Sequence, residues 1–182
     1  MGFCRAIWRV VSDTVSAGAY HGRMKETVAK ASGTRSFGPA NQRVGRFRRR
    51  GSSLGLGFGN INDLMRQIEH GFSFEALLRL ETNSGLSLAY LASIIGIPER
   101  TLARRKAAGK LEPDESERLL RVSNLFEKCV ELFEGDVTAA VNWSTSPKKA
   151  LNHQPPLLYA RTESGAREVE DLIGRVGDGI FS

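Results

Sequence analysis

Arg100, Arg104, Arg105, Lys106 and Lys110 fall within one short stretch, and no acid separates them. Guanidinium groups donate paired hydrogen bonds to guanine edges and phosphates, and ammonium groups add point charge along a phosphate backbone. Contact with DNA is the chemistry such a run suits, and Thr101 joins these five in the candidate DNA-binding set. Nothing comparable points to catalysis. The three histidines, His21, His70 and His153, are scattered, and Cys4 and Cys129 lie far apart. No Cys/His, Ser/His/Asp or paired-carboxylate arrangement stands out, so an enzyme is not expected, nor a metal site or cofactor.

The elements that must present these cations are legible in Ser87 to Lys110, SLAYLASIIGIPERTLARRKAAGK. Leu88, Leu91, Ala92 and Ile95 recur at helical spacing and give a first helix one apolar face. Gly96 ends it where a left-handed residue is needed, and Pro98 opens a second helix that its fixed φ suits. Leu102 points back to the core, which makes a helix-turn-helix with a basic second helix. One position departs from that pattern, because Arg105 stands where a further apolar residue is usual. The alternative reading is an ordinary helical hairpin with a solvated basic face. Beyond the turn the charge reverses at Glu112, Asp114, Glu115 and Glu117, read as first-turn acids complementing a helix dipole. Positive charge is thereby confined to one element.

The chain of 182 residues is long enough for a real core in one or two small domains. Its net charge of +6 is unevenly spread, since residues 1–60 carry eleven Lys/Arg against two Asp/Glu. That segment, with Arg46-Phe47-Arg48-Arg49-Arg50 and the glycine-spaced run at 51–59, reads as a basic, flexible N-terminal region with little to bury. A short amphipathic helix in the first twenty residues is expected through Phe3, Ile7, Val10 and Val11. A chain starting at Met24 is expected to fold and act equally well. No apolar run approaches a membrane span, Arg5, Arg9 and Asp13 interrupt any signal-peptide core, and the unpaired cysteines suit a reducing compartment. A cytoplasmic protein without a membrane partner is the expectation.

From Ile61 the pattern is helical and the fold class is all-α: a small bundle containing the helix-turn-helix, then a short helical C-terminal domain. Ile61, Leu64, Met65 and Ile68 form one stripe, and Ser73 caps a second helix ending near Gly85. Pro113 opens the longest helix, through Leu119, Val122, Phe126, Cys129 and Phe133. Leu125 and Leu132 widen its apolar face, which suggests a subunit contact. The expected domains are 61–133 for DNA binding and dimerisation and 134–182 for a second module. In that module a helix ends at Trp143, a loop holds Pro147, Pro155 and Pro156, and a last helix runs from Thr162 to Gly177. Taken alone, the Trp and prolines fit either a partner platform or a core Trp with its loops.

Two blocks together resemble a known family, the MbcA/ParS/Xre antitoxins of RES–Xre toxin–antitoxin pairs. One is GIPERTLARRKAAGKLEPDESERLLR at 96–121. The other is the spacing Trp143, Pro147, Ala150-Leu151, Pro156-Leu157-Leu158, Thr162, Gly165, Val169, Leu172-Ile173-Gly174-Arg175 and Gly179. The resemblance covers about Leu56 to Ser182. Departures are Ser144 for the usual Leu, Asn152-His153 in place of a glycine-rich turn, and Val176-Gly177-Asp178 near the end. Asn152 can take the turn conformation that glycine would fill. The resemblance implies a RES-domain toxin partner that destroys NAD+, neutralised when the C-terminal domain covers its active site. It also implies a homodimer and repression of the operon's own promoter through operator DNA. The toxin-binding candidates it points to are Trp143, Pro147, Leu151, Pro156, Thr162, Arg175, Gly179 and Phe181. Arg175 is the candidate polar anchor, although its position equally suits contact with its own helix's last carbonyls. Deleting residues from Glu163 onward is expected to abolish neutralisation and leave a folded core. The alternative function is a stand-alone helix-turn-helix regulator whose C-terminal domain binds another protein.

Overall fold

A computed structural model of the chain describes residues 50–179. The amphipathic helix expected in the first twenty residues, the start at Met24 and Phe181 lie outside them. Among the described residues the architecture is all-α, with eight α-helices, two 3-10 turns and no strand. In chain order the helices are α1 Ile61–His70, α2 Phe74–Ser84, α3 Leu88–Ile94, α4 Glu99–Ala108, α5 Pro113–Leu132, α6 Val137–Thr145, α7 Pro156–Tyr159 and α8 Glu163–Gly177.

Their ends follow local chemistry. The Asn60, Ser87, Asp136 and Thr162 side chains each accept a backbone N–H of the first turn and start α1, α3, α6 and α8. Gly96 takes φ +74° after α3 and turns the chain into Pro98, the N-cap of α4. Two short backbone links then fix the far end of α4, because Phe74 N–H donates to Gly109 O and Leu111 N–H to Phe72 O, each at 2.9 Å. Gly71 lies so close to the Leu111 carbonyl that a side chain there would collide with it.

Helix α5 is the spine. Leu119, Val122, Leu125, Phe126, Cys129 and Val130 are all buried along it. The apolar width read as a subunit contact is instead consumed within the chain. The 3-10 turn Ser52–Leu54 and the helices α1, α6 and α8 all pack on it. One apolar core joins Leu54 and Leu77 of the first half to Leu157 and Val169 of the second. The large apolar side chains left exposed among the described residues are Ile61 and Met65 of α1.

The run at 51–59 is not the flexible linker its glycines suggest. Ser53 and Leu54 are fully buried, and Leu56 and Phe58 pack against the core. Ser53 N–H and Oγ both donate to the Glu127 carboxylate at 2.7 Å, while Asn83 Nδ2 donates to Ser53 O at 2.7 Å. The glycines serve left-handed backbone, at Gly51 and Gly55, on either side of this turn.

Candidate functional site

Helix α4 buries none of its residues. At about 100° per residue, Leu102 and Arg105 share the inward side, and Arg100, Ala103, Arg104 and Ala107 share the opposite one. The four outward residues are exposed, as are Lys106 and Lys110, while Thr101 is half-buried on the flank. Small alanines between two arginines allow close approach of a groove wall while the guanidinium groups reach past them. Arg100, Arg104, Lys106 and Lys110 make no ion pair among the described residues. A basic face left unneutralised is a ready phosphate contact.

Arg105 does not belong to that face. Its side chain is 13% exposed, and Nε donates to both oxygens of Glu115 at 2.8 and 3.1 Å while Nη1 meets Glu112 at 2.8 Å. The hydrogen bond to Glu115 is the main influence raising its pKa above the ordinary guanidinium value. The departure from the apolar pattern is resolved by a charged pair in the place of an apolar contact. Glu115 is likewise more than a dipole complement. Besides Arg105, its carboxylate accepts the Glu112 N–H at 2.9 Å, closing the start of α5. The departure at position 105 was visible in the sequence. The partner ten residues away was not, because only the turn between α4 and α5 brings the two together.

The C-terminal candidates divide by burial. Trp143 is 4% exposed and packs at a tilt against Phe133, with ring centroids 6.4 Å apart. Leu151 and Pro156 are buried as well. These three are core residues, so the platform reading of Trp143 gives way to the packing one. Thr162 caps α8 through its hydroxyl, which accepts the Gly165 N–H at 3.1 Å. Pro147, Arg175 and Gly179 are exposed and free to meet a partner. Between Pro147 and Pro156 the chain makes a tight loop. Asn152 and His153 both adopt positive φ, 55° and 59°, where glycines would be at ease.

Other features of this module and of the α5 surface beneath it were not read from the sequence. Lys148 Nζ sits 5.1 Å from the Trp143 ring centroid, and its burial lowers its pKa to about 8. Beneath it the Cys129 thiol is fully buried and pushed up to about 12 by desolvation, which makes it an inert core residue. Helix α8 is pinned to α5 by Arg121–Glu163 at 3.0 Å and Lys128–Glu170 at 2.8 Å. Gly165 packs against the Tyr159 carbonyl too closely for any side chain.

Comparison with known proteins finds two matched stretches, both of which include part of α5. Residues 63–124 match the family model described as the antitoxin Xre-like helix-turn-helix domain. Residues 130–179 match that of the antitoxin Xre/MbcA/ParS C-terminal toxin-binding domain. The chain is similar to the protein named antitoxin Xre of Yersinia enterocolitica, 37% identical over 130 residues, which are 71% of this chain and 88% of that protein. It is also similar to the antitoxin Xre of Photorhabdus laumondii, 40% identical over 90 residues, 49% of this chain and 61% of the relative. A third, from Pseudomonas putida, is 27% identical over 118 residues, 64% of this chain and 72% of the relative. No helix among the described residues is long and apolar enough to cross a membrane.

Proposed function

The chain belongs to the Xre antitoxin family, a helix-turn-helix domain followed by a toxin-binding domain, and on that premise we propose that it neutralises a RES-domain, NAD+-degrading toxin and represses its own operon. It is an antitoxin and not an enzyme. The proposed operator contacts are Arg100 and Arg104 at base edges or adjacent phosphates, with Lys106 and Lys110 on phosphates. Thr101 is kept as a flanking contact, and Arg105 is withdrawn. The observation that carries the DNA half is the outward face of α4, where Arg100 and Arg104 are exposed and unpaired among the described residues and the helix's one acid, Glu99, lies to the side in the first turn.

For the toxin half, the proposed contacts are the exposed candidates Pro147, Thr162, Arg175 and Gly179, with Phe181 beyond the described residues. Residues 134–182 carry seven acids against five bases, which suits a positively charged cleft built for a dinucleotide pyrophosphate. Trp143, Leu151 and Pro156 support the module from within the core, and Thr162, exposed at the start of α8, caps that helix. Dimerisation, the third part of the reading, has to draw on residues other than the apolar face of α5, which the chain itself covers.

The test is co-expression with the RES-domain product of a neighbouring reading frame, with growth and cellular NAD+ as readouts. Toxin alone should deplete NAD+, and the full chain should restore it. Arg175→Ala, folded by circular dichroism, should restore it incompletely. Persisting depletion in the presence of the full, folded chain rejects the toxin assignment. Promoter repression without any effect on NAD+ would favour a stand-alone regulator.

A further inference from the structure

Helix α4 is held in an unusual way for an element asked to read DNA. Its neighbours bury large faces, with Leu91, Ala92 and Ile94 from α3 and eleven residues from α5, yet α4 itself buries none. Its ends are fixed, by Pro98 at one and by the backbone links at Gly109 and Leu111 at the other. Fixed ends hold the axis and restrain its rotation, and the side chains between them set the remaining roll. Leu102, half-buried, is a single apolar contact, and one such contact tolerates rolling. The remaining inward side chain is Arg105.

We infer that Arg105 is a positioning residue, whose fork onto Glu115 and Glu112 sets the rotation of α4 and so decides that Arg100 and Arg104 face outward. The inference rests on the reading of α4 as the DNA-contacting helix. The fork is directional in a way a lone charge is not. Nε addresses both Glu115 oxygens and Nη1 addresses Glu112, so three short contacts fix the plane of the guanidinium. Glu115 is a rigid anchor, 7% exposed and already holding the Glu112 N–H at the start of the long helix. The clamp therefore ties the reading helix directly to the spine that also carries α6 and α8.

This role has an electrostatic signature opposite to direct contact. Removing a negative charge near bound DNA strengthens binding by charge alone. If Arg105 touched phosphate, Glu115→Gln would release it and tighten the complex. If Arg105 positions α4, the same substitution weakens specific binding. The experiment measures fluorescence anisotropy of full-length protein on a labelled duplex from the promoter region of its own gene, and on a random duplex of equal length, across a salt series. Glu115→Gln and Arg105→Lys are each expected to bind the promoter about tenfold more weakly, the size of losing one base contact. Both should keep their random-duplex affinity and salt slope, and melting curves ensure that each is assayed well below its transition. Unchanged or tighter promoter binding by folded Glu115→Gln overturns the inference. So does equal weakening of Arg105→Lys on both duplexes. Arg104→Ala separates the two layers. If it weakens promoter binding while Glu115→Gln does not, only the positioning role fails. If wild type shows no promoter preference and Arg104→Ala no effect, the DNA reading fails and takes the inference with it.

Discussion

At the scale of single residues, what matters is which cations are already engaged. Arg105, Arg121 and Lys128 are held by carboxylates, whereas Arg100, Arg104, Lys106 and Lys110 are exposed and unpaired among the described residues. Replacing Arg104 by Ala should cost about 1–3 kcal/mol at the operator if its guanidinium reads a base. Lys110→Ala should weaken binding alike on every sequence and reduce the salt slope by about one. Equal losses on promoter and random DNA for Arg104→Ala would demote it to a phosphate contact. Lys148 allows a different test. Burial lowers its folded pKa to about 8, against 10.5 for an ordinary lysine. Below pH 8 the amine is protonated in both states, and between 8 and 10.5 the unfolded chain binds more protons. Its contribution to stability therefore rises with pH across that window. Melting temperatures of wild type and Lys148→Met, taken from pH 7 to 10.5, should move apart in the variant's disfavour as pH rises. Parallel curves would show that Lys148 is not desolvated in the fold.

At the scale of elements, the turn Ser52–Leu54 changes the account of where the folded body begins. Leu54 is fully buried against the spine, and Ser53 supplies both hydrogen bonds to a Glu127 carboxylate whose pKa is raised by desolvation. Truncating Leu54 to Ala should destabilise the protein by about 2–5 kcal/mol, as for other large-to-small changes in a core. Denaturant unfolding measures this directly, and a loss under about 0.5 kcal/mol, typical of surface positions, would return the segment to the status of a linker. The sequence concealed this turn because four glycines among 51–59 dilute the apolar signal, and its partners lie about seventy residues away on α5. The helices α1 to α6 and α8 were legible, since their caps and periodicity are local, whereas α7, Pro156–Tyr159, forms where the sequence suggests only a proline-bearing loop. The Asn152-His153 turn was legible too, through the tolerance of Asn for left-handed backbone.

At the scale of the molecule, the helix-turn-helix and the toxin-binding stretch lean on one helix and one continuous core. Deleting residues from Glu163 onward removes Ala166, Val169 and Ile173 from that core and exposes what they cover on α5. At about 1.5–3 kcal/mol for each large buried side chain, the loss is a substantial part of the 5–15 kcal/mol typical of a whole domain. The truncated chain should lose DNA binding together with neutralisation, in contrast to the folded core expected from the sequence. Calorimetry of the intact chain should show a single transition for both matched stretches. Two separated transitions, or a truncated chain that still binds the promoter, would mean that the halves are independent.

The sequence alone determined most of the helical elements, their order and the basic second helix of the helix-turn-helix, because these rest on spacing and caps within a few residues of each other, and its resemblance to known antitoxins over two blocks pointed to the family. Tertiary structure decided which of those residues are available. It turned Arg105 inward onto Glu115, sank Trp143, Leu151 and Pro156 into the core, and drew the glycine-spaced run around Leu54 into the same core. Burial and charge pairing depend on what packs from a distance, and a pattern read along one helix does not contain that.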